Sequence, residues 1–300
     1  MRELGDVIAR AAALKDSRSH WTTRFAPSPT GELHLGHVLH AQWVWGIAAA
    51  FEATVLIRVE DHDRSRCTAD FERSILDDLA WLGFEGDAES RASLERYRSP
   101  FRQSDHAPRY VESLSQLCAM TDVYQCTCTG AALPRNASGE HRYPGTCRGT
   151  PLDGRSGATI RVRIPDDAVT IDDLQLGSLI QHPQEDQGDV AIRDARGQWT
   201  YQFCVVVDDL HDGVNLVVRG EDLAASTGRQ LLLARMLGRT IPFVTAHHPL
   251  IVAPDGRKLS KRNRSDTIRA MRQRGMSRDD VLNAAESALR TASGTPPRSG

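Results

Sequence analysis

The chain has 300 residues, of which 25% are charged and 40% hydrophobic, a composition typical of a globular protein. Its formal net charge of −2 excludes a globally basic nucleic-acid binder, so any RNA contact has to come from a local patch. No apolar run is long enough to cross a bilayer, and residues 1–20 are too charged for a secretory signal peptide. Six cysteines without such a signal indicate reduced thiols, and we expect a cytoplasmic protein.

The first part of the chain alternates strand and helix patterns. A buried strand is predicted at residues 21–26, and a β-branched strand at 53–60. Helices are predicted at 34–50 and at 70–82, the second with one apolar stripe and Gly83 as its stop signal. This strand–helix–strand–helix order predicts an α/β protein with a parallel sheet.

The composition changes further along the chain. Residues 129–157 are rich in Gly, Pro, Ser and Asn around several Cys and His, and cannot build a core alone, so an inserted loop module is predicted. The other predicted elements are a helix at 108–120, strands at 158–164, at 189–207 with a turn at 195–198, and at 216–219, and a helix at 222–237. Residues 257–274 are strongly basic, and 291–300 have the composition of a disordered tail.

The segment RFAPSPTGELHLGH (24–37) joins the first predicted strand to the first predicted helix. At such a junction the backbone N–H groups and the positive end of the helix dipole lie at the carboxyl edge of the sheet, which favours phosphate binding. Gly31 and Gly36 permit close approach because neither carries a Cβ. His34 and His37 are expected on one side of the first helical turn, where both can donate to phosphate oxygens. The alternative is a pair of histidines that faces solvent or caps the core.

The stretch APDGRKLSKRNR (253–264) combines a Pro-Asp-Gly turn with two lysines, Lys258 and Lys261, on either side of a serine. Mobile lysines suit a transition state in which negative charge moves onto a departing pyrophosphate. The alternative is a solvated basic loop, which is what most runs of this composition are.

A third cluster contains Cys126 and Cys128 in CTC, and Cys147 in HRYPGTC. A Cys-x-Cys pair with a later Cys suits tetrahedral Zn²⁺, which binds deprotonated sulfur ligands. Three thiolates leave one position, for which the imidazole of His141 or the phenolate of Tyr143 is available. Ligand chemistry alone favours the histidine, and the alternative to a metal site is a group of reduced thiols.

Together these motifs resemble the paired signatures of the class I aminoacyl-tRNA synthetases, with HLGH matching the first and KLSK the second. RFAPSPTG, RVEDHDRSR, VVRGEDL and KLSKR, in the expected order, are similar to the glutamyl branch of that family. The resemblance implies an α/β fold with a Rossmann-like parallel sheet and an inserted zinc-binding, acceptor-type module. The implied parts are an N-terminal extension (1–20), the first half of the catalytic domain (21–120), the inserted module (121–190), the second half with the KLSK loop (191–262), and a short basic C-terminal segment with its tail (263–300).

The resemblance also implies which residues bind substrates. A glutamate ligand needs guanidinium donors, supplied by Arg24 and Arg219, and an acceptor for its α-ammonium, supplied by Glu60. The expected glutamate-binding residues are Arg24, Phe25, Ala26, Pro27, Ser28, Glu60, Tyr201 and Arg219. The expected ATP-binding residues are His34, Gly36, His37 and Lys261, and the expected catalytic residues are His34, His37, Lys258 and Lys261. The two arginines, the glutamate and the tyrosine are expected at or near strand ends, where α/β ligand sites occur.

Within this branch, Cys-x-Cys…Tyr-x-x-x-Cys is similar to the short glutamyl-queuosine tRNA(Asp) synthetases, which implies Tyr143 as the fourth zinc ligand. The expected partners are then ATP with Mg²⁺, glutamate, and tRNA(Asp) carrying queuosine in its anticodon, and no membrane. Residues 263–300 are far fewer than the roughly 100 that a helical anticodon-binding domain needs. Asn263 also follows KLSKR where the full synthetase is expected to have His-Gly.

Two other functions are compatible with the sequence. The chain could charge the 3′ end of a tRNA, as glutamyl-tRNA synthetases do, because no residue in it identifies the acceptor. An inactive relative that only binds RNA or protein is disfavoured, because the chemically demanding positions remain filled.

Overall fold

The computed structural model describes residues 4–14, 20–136, 139–240, 243–251 and 267–292. The strands are β1 (Thr22–Phe25), β2 (Thr54–Val59), β3 (Phe101–Arg102), β4 (Val123–Cys126), β5 (Thr159–Val162), β6 (Val169–Asp173), β7 (Gly177–Gln181), β8 (Val190–Arg193), β9 (Leu216–Gly220) and β10 (Val244–His248). The helices are α1 (Leu4–Leu14), α2 (Leu35–Phe51), α3 (Ala69–Leu82), α4 (Ala88–Arg96), α5 (Ala107–Met120), α6 (Pro183–Asp186), α7 (Tyr201–His211), α8 (Thr227–Met236), α9 (Ile268–Gln273) and α10 (Arg278–Ala292). Lys258 and Lys261 lie outside the described residues.

A parallel sheet forms the centre of the molecule, as the sequence predicted. β1 pairs with β2 and β2 with β3, while β10 pairs with β9 and β6, all in parallel. Asn215, just before β9, joins the two groups of strands. Its N–H donates to the carbonyl of Thr22 at 3.0 Å, and its side chain accepts from the N–H of Thr22 at 2.9 Å.

The helices around this sheet follow from local signals. Thr68 begins α3 because its hydroxyl accepts from the N–H of Phe71 at 3.2 Å, and Gly83 ends it in the left-handed conformation at φ 72°. The predicted helix end at Gly83 is thus confirmed. In the N-terminal extension, α1 packs on α2 and buries Val7 and Ala11 completely.

The strand predicted across residues 199–207 was wrong. After β8 and a short turn, residues 201–211 form α7, and its apolar residues from Phe203 to Val207 are all buried. A short, wholly apolar run has no hydrophobic periodicity that distinguishes a buried strand from a buried helix. The strand was predicted because valines are common in strands. Consequently Tyr201 lies at the first position of a helix rather than near a strand end.

A separate antiparallel sheet is formed by β5, which pairs with β4 and β8. Beside it, Gly188 pairs with Tyr143 at φ 75°, where an added Cβ would lie only 1.9 Å from the Tyr143 carbonyl oxygen. Only glycine fits there. None of the described helices combines the length and apolarity needed to cross a membrane.

Candidate active site and cysteine cluster

A cavity of about 630 Å³ opens at the carboxyl ends of the parallel strands, beside the N-terminus of α2. Most of the residues that the sequence predicted to bind substrates line it: Arg24, Ala26, Ser28, His34, Gly36, His37, Glu60, Tyr201 and Arg219. Phe25 and Pro27 do not line the cavity. Phe25 is fully buried behind its wall, and the carbonyl of Pro27 accepts from the N–H of Glu60 at 3.0 Å.

The two histidines of HLGH build the start of α2 through their own side chains. His34 is the extended N-cap of α2, which begins at Leu35. The prediction that the helix begins at His34 was therefore wrong by one residue. Its Nδ1 accepts from the N–H of Gly36 at 3.1 Å, and Nδ1 of His37 accepts from the N–H of His34 at 3.1 Å. Each neutral ring therefore carries its proton on Nε2, where it can donate to a ligand oxygen. Glycine at position 36 leaves room for this arrangement, because a Cβ there would crowd the His34 ring at 3.0 Å.

Arg24 is held in the cavity wall by a buried network of charges. Its Nε donates to Oδ1 of Asp209 at 3.1 Å, and the same oxygen accepts from Nη1 of Arg58 at 2.6 Å. Arg58 also donates to Asp212 at 2.8 Å and is completely buried. Burial alone would lower the pKa of Arg58, but the neighbouring carboxylates raise it, so the guanidinium stays charged.

Glu60 follows β2 and faces the same cavity. Burial raises its pKa to about 7, although the positive charges of Arg58 and Arg24 oppose the shift. Its carbonyl accepts from the hydroxyl of Ser28 at 2.7 Å, which ties the loop after β1 to the end of β2. Near neutral pH this carboxyl can therefore exchange between a charged acceptor and a neutral acid.

Arg219, in β9, also lines the cavity and is 4% exposed. Its Nη1 donates to Gln230 at 2.6 Å, its Nη2 to the hydroxyl of Thr227 at 2.7 Å, and its Nε to His247 at 3.2 Å. Tyr201 lines the same cavity. The orientation of this guanidinium is thus determined by several elements at once.

Sequence reasoning missed a second pair of histidines in the cavity wall. Nδ1 of His40 lies 3.0 Å from Nε2 of His248, and Nδ1 of His248 lies 2.9 Å from the carbonyl of Pro249. Burial lowers the pKa of His40 well below its ordinary value, which favours the neutral form of that ring. The spacing of His40 from His37, three residues along α2, was a signal that could have found the first member.

The described residues on either side of the KLSK sequence lie at or near the cavity. Ile251 lines it, and Thr267 forms an antiparallel bridge with His34. The N–H of Ile268 also donates to the carbonyl of Leu33 at 2.9 Å.

The three predicted thiols come together in the inserted module. The sulfur atoms of Cys126, Cys128 and Cys147 all lie within 4.8 Å of one another, a set that could hold a metal ion. The hydroxyl of Tyr143 accepts from the N–H of Cys147 at 2.8 Å, and the tyrosine is buried. His141 is exposed and does not belong to this group of ligand atoms. Three soft sulfur atoms are a donor set that suits a tetrahedral metal ion with one further ligand.

Comparison with known proteins identifies the family. A family model described as tRNA synthetases class I (E and Q), catalytic domain, matches residues 20–291. This chain belongs to that family. The resemblance inferred from HLGH and KLSK is confirmed, and membership makes the chain an aminoacyl-tRNA synthetase-like ligase of a family that uses ATP with Mg²⁺.

The similar proteins fall into two groups. A Glutamyl-Q tRNA(Asp) synthetase of Thiobacillus denitrificans is 41% identical over 278 residues, which cover 91% of this chain and 85% of that protein. Glutamate–tRNA ligase 1 of Acidithiobacillus ferrooxidans is 35% identical over 268 residues, covering 87% of this chain and 55% of the ligase. The crystal structure of the glutamate-tRNA synthetase from Elizabethkingia anophelis matches with a TM-score of 0.67 at 25% identity, over 86% of this chain and 54% of that one. The chain thus spans about half the length of the glutamate–tRNA ligases it matches.

The pKa of Glu60 predicts a pH dependence for amino-acid activation. Below about pH 7 its carboxyl in the free protein is increasingly protonated and can no longer pair with an α-ammonium group, so kcat/KM for glutamate should fall as the pH drops. Pyrophosphate–ATP exchange measured from about pH 6 to about pH 8 checks this. Glu60→Gln should lower kcat/KM for glutamate and remove its fall at low pH. A wild-type profile that is flat over the range, or a fall that persists in the variant, contradicts the assignment.

Proposed function

We propose that this protein activates glutamate with ATP and transfers the glutamyl group to queuosine in the anticodon of tRNA(Asp). One observation carries the activation step: a single cavity combines Arg24, Arg219 and Glu60 with His34 and His37 at a helix start. The arginines suit a side-chain carboxylate, the glutamate suits an α-ammonium, and the helix start suits phosphate. Glutamate and ATP together present those groups.

In the first step an oxygen of the glutamate α-carboxylate attacks the α-phosphorus of ATP in line, and the bond to pyrophosphate breaks. His34 and His37 donate from Nε2 to phosphate oxygens, and Lys258 and Lys261, assigned from the sequence, stabilise charge on the departing pyrophosphate. Mg²⁺ bound with ATP neutralises phosphate charge. The protein positions and neutralises the reactants and forms no covalent intermediate.

In the second step a hydroxyl oxygen of the RNA attacks the carbonyl carbon of glutamyl-adenylate. An ester forms, the mixed-anhydride bond breaks, and AMP leaves. For a queuosine acceptor this hydroxyl lies on the cyclopentenediol ring of the base. Such a reaction uses cytoplasmic ATP and tRNA, so the cytoplasm is the proposed location.

Two findings support queuosine over a tRNA 3′ end. Relatives named Glutamyl-Q tRNA(Asp) synthetase are 37–41% identical to this chain, which covers 80–85% of their length. The matching glutamate–tRNA ligases are 35% identical and are covered over 55–56% of theirs. In addition, the cysteine cluster with a buried tyrosine follows the pattern that the sequence shares with the short enzymes.

The cysteine cluster is assigned to one structural Zn²⁺, held by Cys126, Cys128, Tyr143 and Cys147. Burial raises the pKa of the Tyr143 phenol, so its ionisation would depend on the metal. The guanidinium of Arg161 lies 3.9 Å from the centre of the Tyr143 ring, and a positive charge there favours a phenolate. These contacts support the tyrosine over His141.

The zinc assignment predicts about one Zn²⁺ per purified chain, measured by elemental analysis. Tyr143→Phe keeps the packed ring and removes the ligand oxygen, so this variant should lose zinc to a chelator faster than the wild type. His141→Ala is the matched control and should retain the metal as the wild type does. Release of zinc by His141→Ala alone would show that the ligand assignment is wrong.

The acceptor assignment predicts where the glutamyl group goes. Labelled glutamate and ATP should yield labelled tRNA(Asp) only when that tRNA carries queuosine, and nuclease mapping should place the label in the anticodon loop. Queuosine-free tRNA(Asp) and tRNA(Glu) are the matched controls and should remain unlabelled. Label at the 3′ end of tRNA(Glu) would support the full-synthetase reaction, and absence of label from every RNA would contradict transfer altogether.

A further inference from the structure

Asp173, the last residue of β6, is a buried acid on which several donors converge. It is 1% exposed and lies where the β6–β7 hairpin, formed by antiparallel pairing of these two strands, joins β10. The hydroxyl of Thr245 donates to its carboxylate at 2.7 Å, and Nδ1 of His247 donates at 2.6 Å. The backbone N–H groups of Gln175 and Leu176 donate at 2.9 and 2.8 Å. So many donors require an ionised carboxylate.

This carboxylate determines the tautomer of His247, which is fully buried. Because Nδ1 of the ring donates to Asp173, the neutral imidazole presents a lone pair at Nε2. That nitrogen lies 3.2 Å from Nε of Arg219 and 3.0 Å from the hydroxyl of Thr227, and both of these groups can donate to it. Burial and the charge of Arg219 lower the pKa of His247, in agreement with a neutral ring.

His247 in turn restrains the guanidinium of Arg219. Its contact at Nε adds to those that Gln230 and Thr227 make at the two terminal nitrogens. A guanidinium held at all three nitrogens cannot rotate about its stem, so the direction of its remaining N–H bonds is set. A His247 ring with a proton on Nε2 would point that proton at the N–H of Arg219.

We propose that Asp173 and His247 are positioning residues that set Arg219 to recognise the side-chain carboxylate of glutamate. The inference rests on the proposed function, because it assigns that carboxylate to Arg219. It makes an acid of the inserted hairpin a determinant of amino-acid specificity, although Asp173 does not line the cavity. A purely structural role of the pair, in docking the hairpin on β10, would affect stability without changing substrate preference.

Two substitutions of His247 separate these roles. His247→Asn keeps an N–H near the position of Nδ1, and so the bond to Asp173, but lacks an acceptor for Arg219. His247→Gln can place its amide oxygen near the position of Nε2 and keep that acceptor. In glutamate-dependent pyrophosphate–ATP exchange, His247→Asn should raise KM for glutamate by about tenfold or more and leave KM for ATP within about twofold. It should also reduce the preference for glutamate over glutamine, and His247→Gln should restore most of both effects.

His247→Gln loses the bond to Asp173, so its thermal stability should fall at least as far as that of His247→Asn. Equal KM values for glutamate in both, together with unchanged preference over glutamine, would reduce the pair to a docking contact and overturn the proposal. Glutamate-dependent exchange by the wild type, measured first, tests the proposed function separately.

A second variant keeps the test available if His247→Asn does not fold. Asp173→Asn has the same shape, and its amide would donate to Nδ1 of His247 and move the ring proton to Nε2, against Arg219. The same selective rise in KM for glutamate is expected. A folded Asp173→Asn variant with wild-type KM and preference would overturn the proposal.

Discussion

The shared carboxylate of Asp209 is the contact on which the candidate site depends. It accepts from Arg58 at 2.6 Å and from Arg24 at 3.1 Å, so one acid of α7 joins β1, β2 and a helix. Arg58 is completely buried, and removing one partner of a buried pair typically costs about 3–5 kcal/mol because a charge is left uncompensated. The same contacts hold Arg24 against the cavity, and the positive charges of Arg58 and Arg24 oppose the effect of burial on the pKa of Glu60.

The cavity divides its chemistry between different parts of the fold. The first two parallel strands position Arg24 and Glu60, and the start of α2 positions His34 and His37, the residues proposed to bind phosphate. Arg219 is held from farther away, through β10 and an acid of the inserted hairpin. This hairpin therefore contacts β10 directly and, through His247, the arginine that we propose binds the amino-acid side chain.

Much of the fold and of the candidate site could be predicted from the sequence. The β1–α2–β2–α3 order was predictable because strands and amphipathic helices differ in period, and Gly83 marks a helix end. The predicted strand at 199–207 was wrong because a buried apolar helix has no such contrast. The contact between His40 and His248 joins residues 208 positions apart, and no local pattern encodes it. The role of Asp209 could not be predicted for the same reason, because its partners lie on other elements.

Pyrophosphate–ATP exchange with a panel of amino acids, measured without RNA, tests most directly whether the cavity is built for glutamate. Glutamate should support exchange, and glutamine should do so with kcat/KM at least about a hundredfold lower, because an amide leaves the arginine donors poorly paired. Aspartate should be rejected as well, because its side chain is one methylene shorter and would hold the carboxylate away from the arginine donors. Equal exchange with glutamate and glutamine, or no exchange with any amino acid, would contradict the assignment.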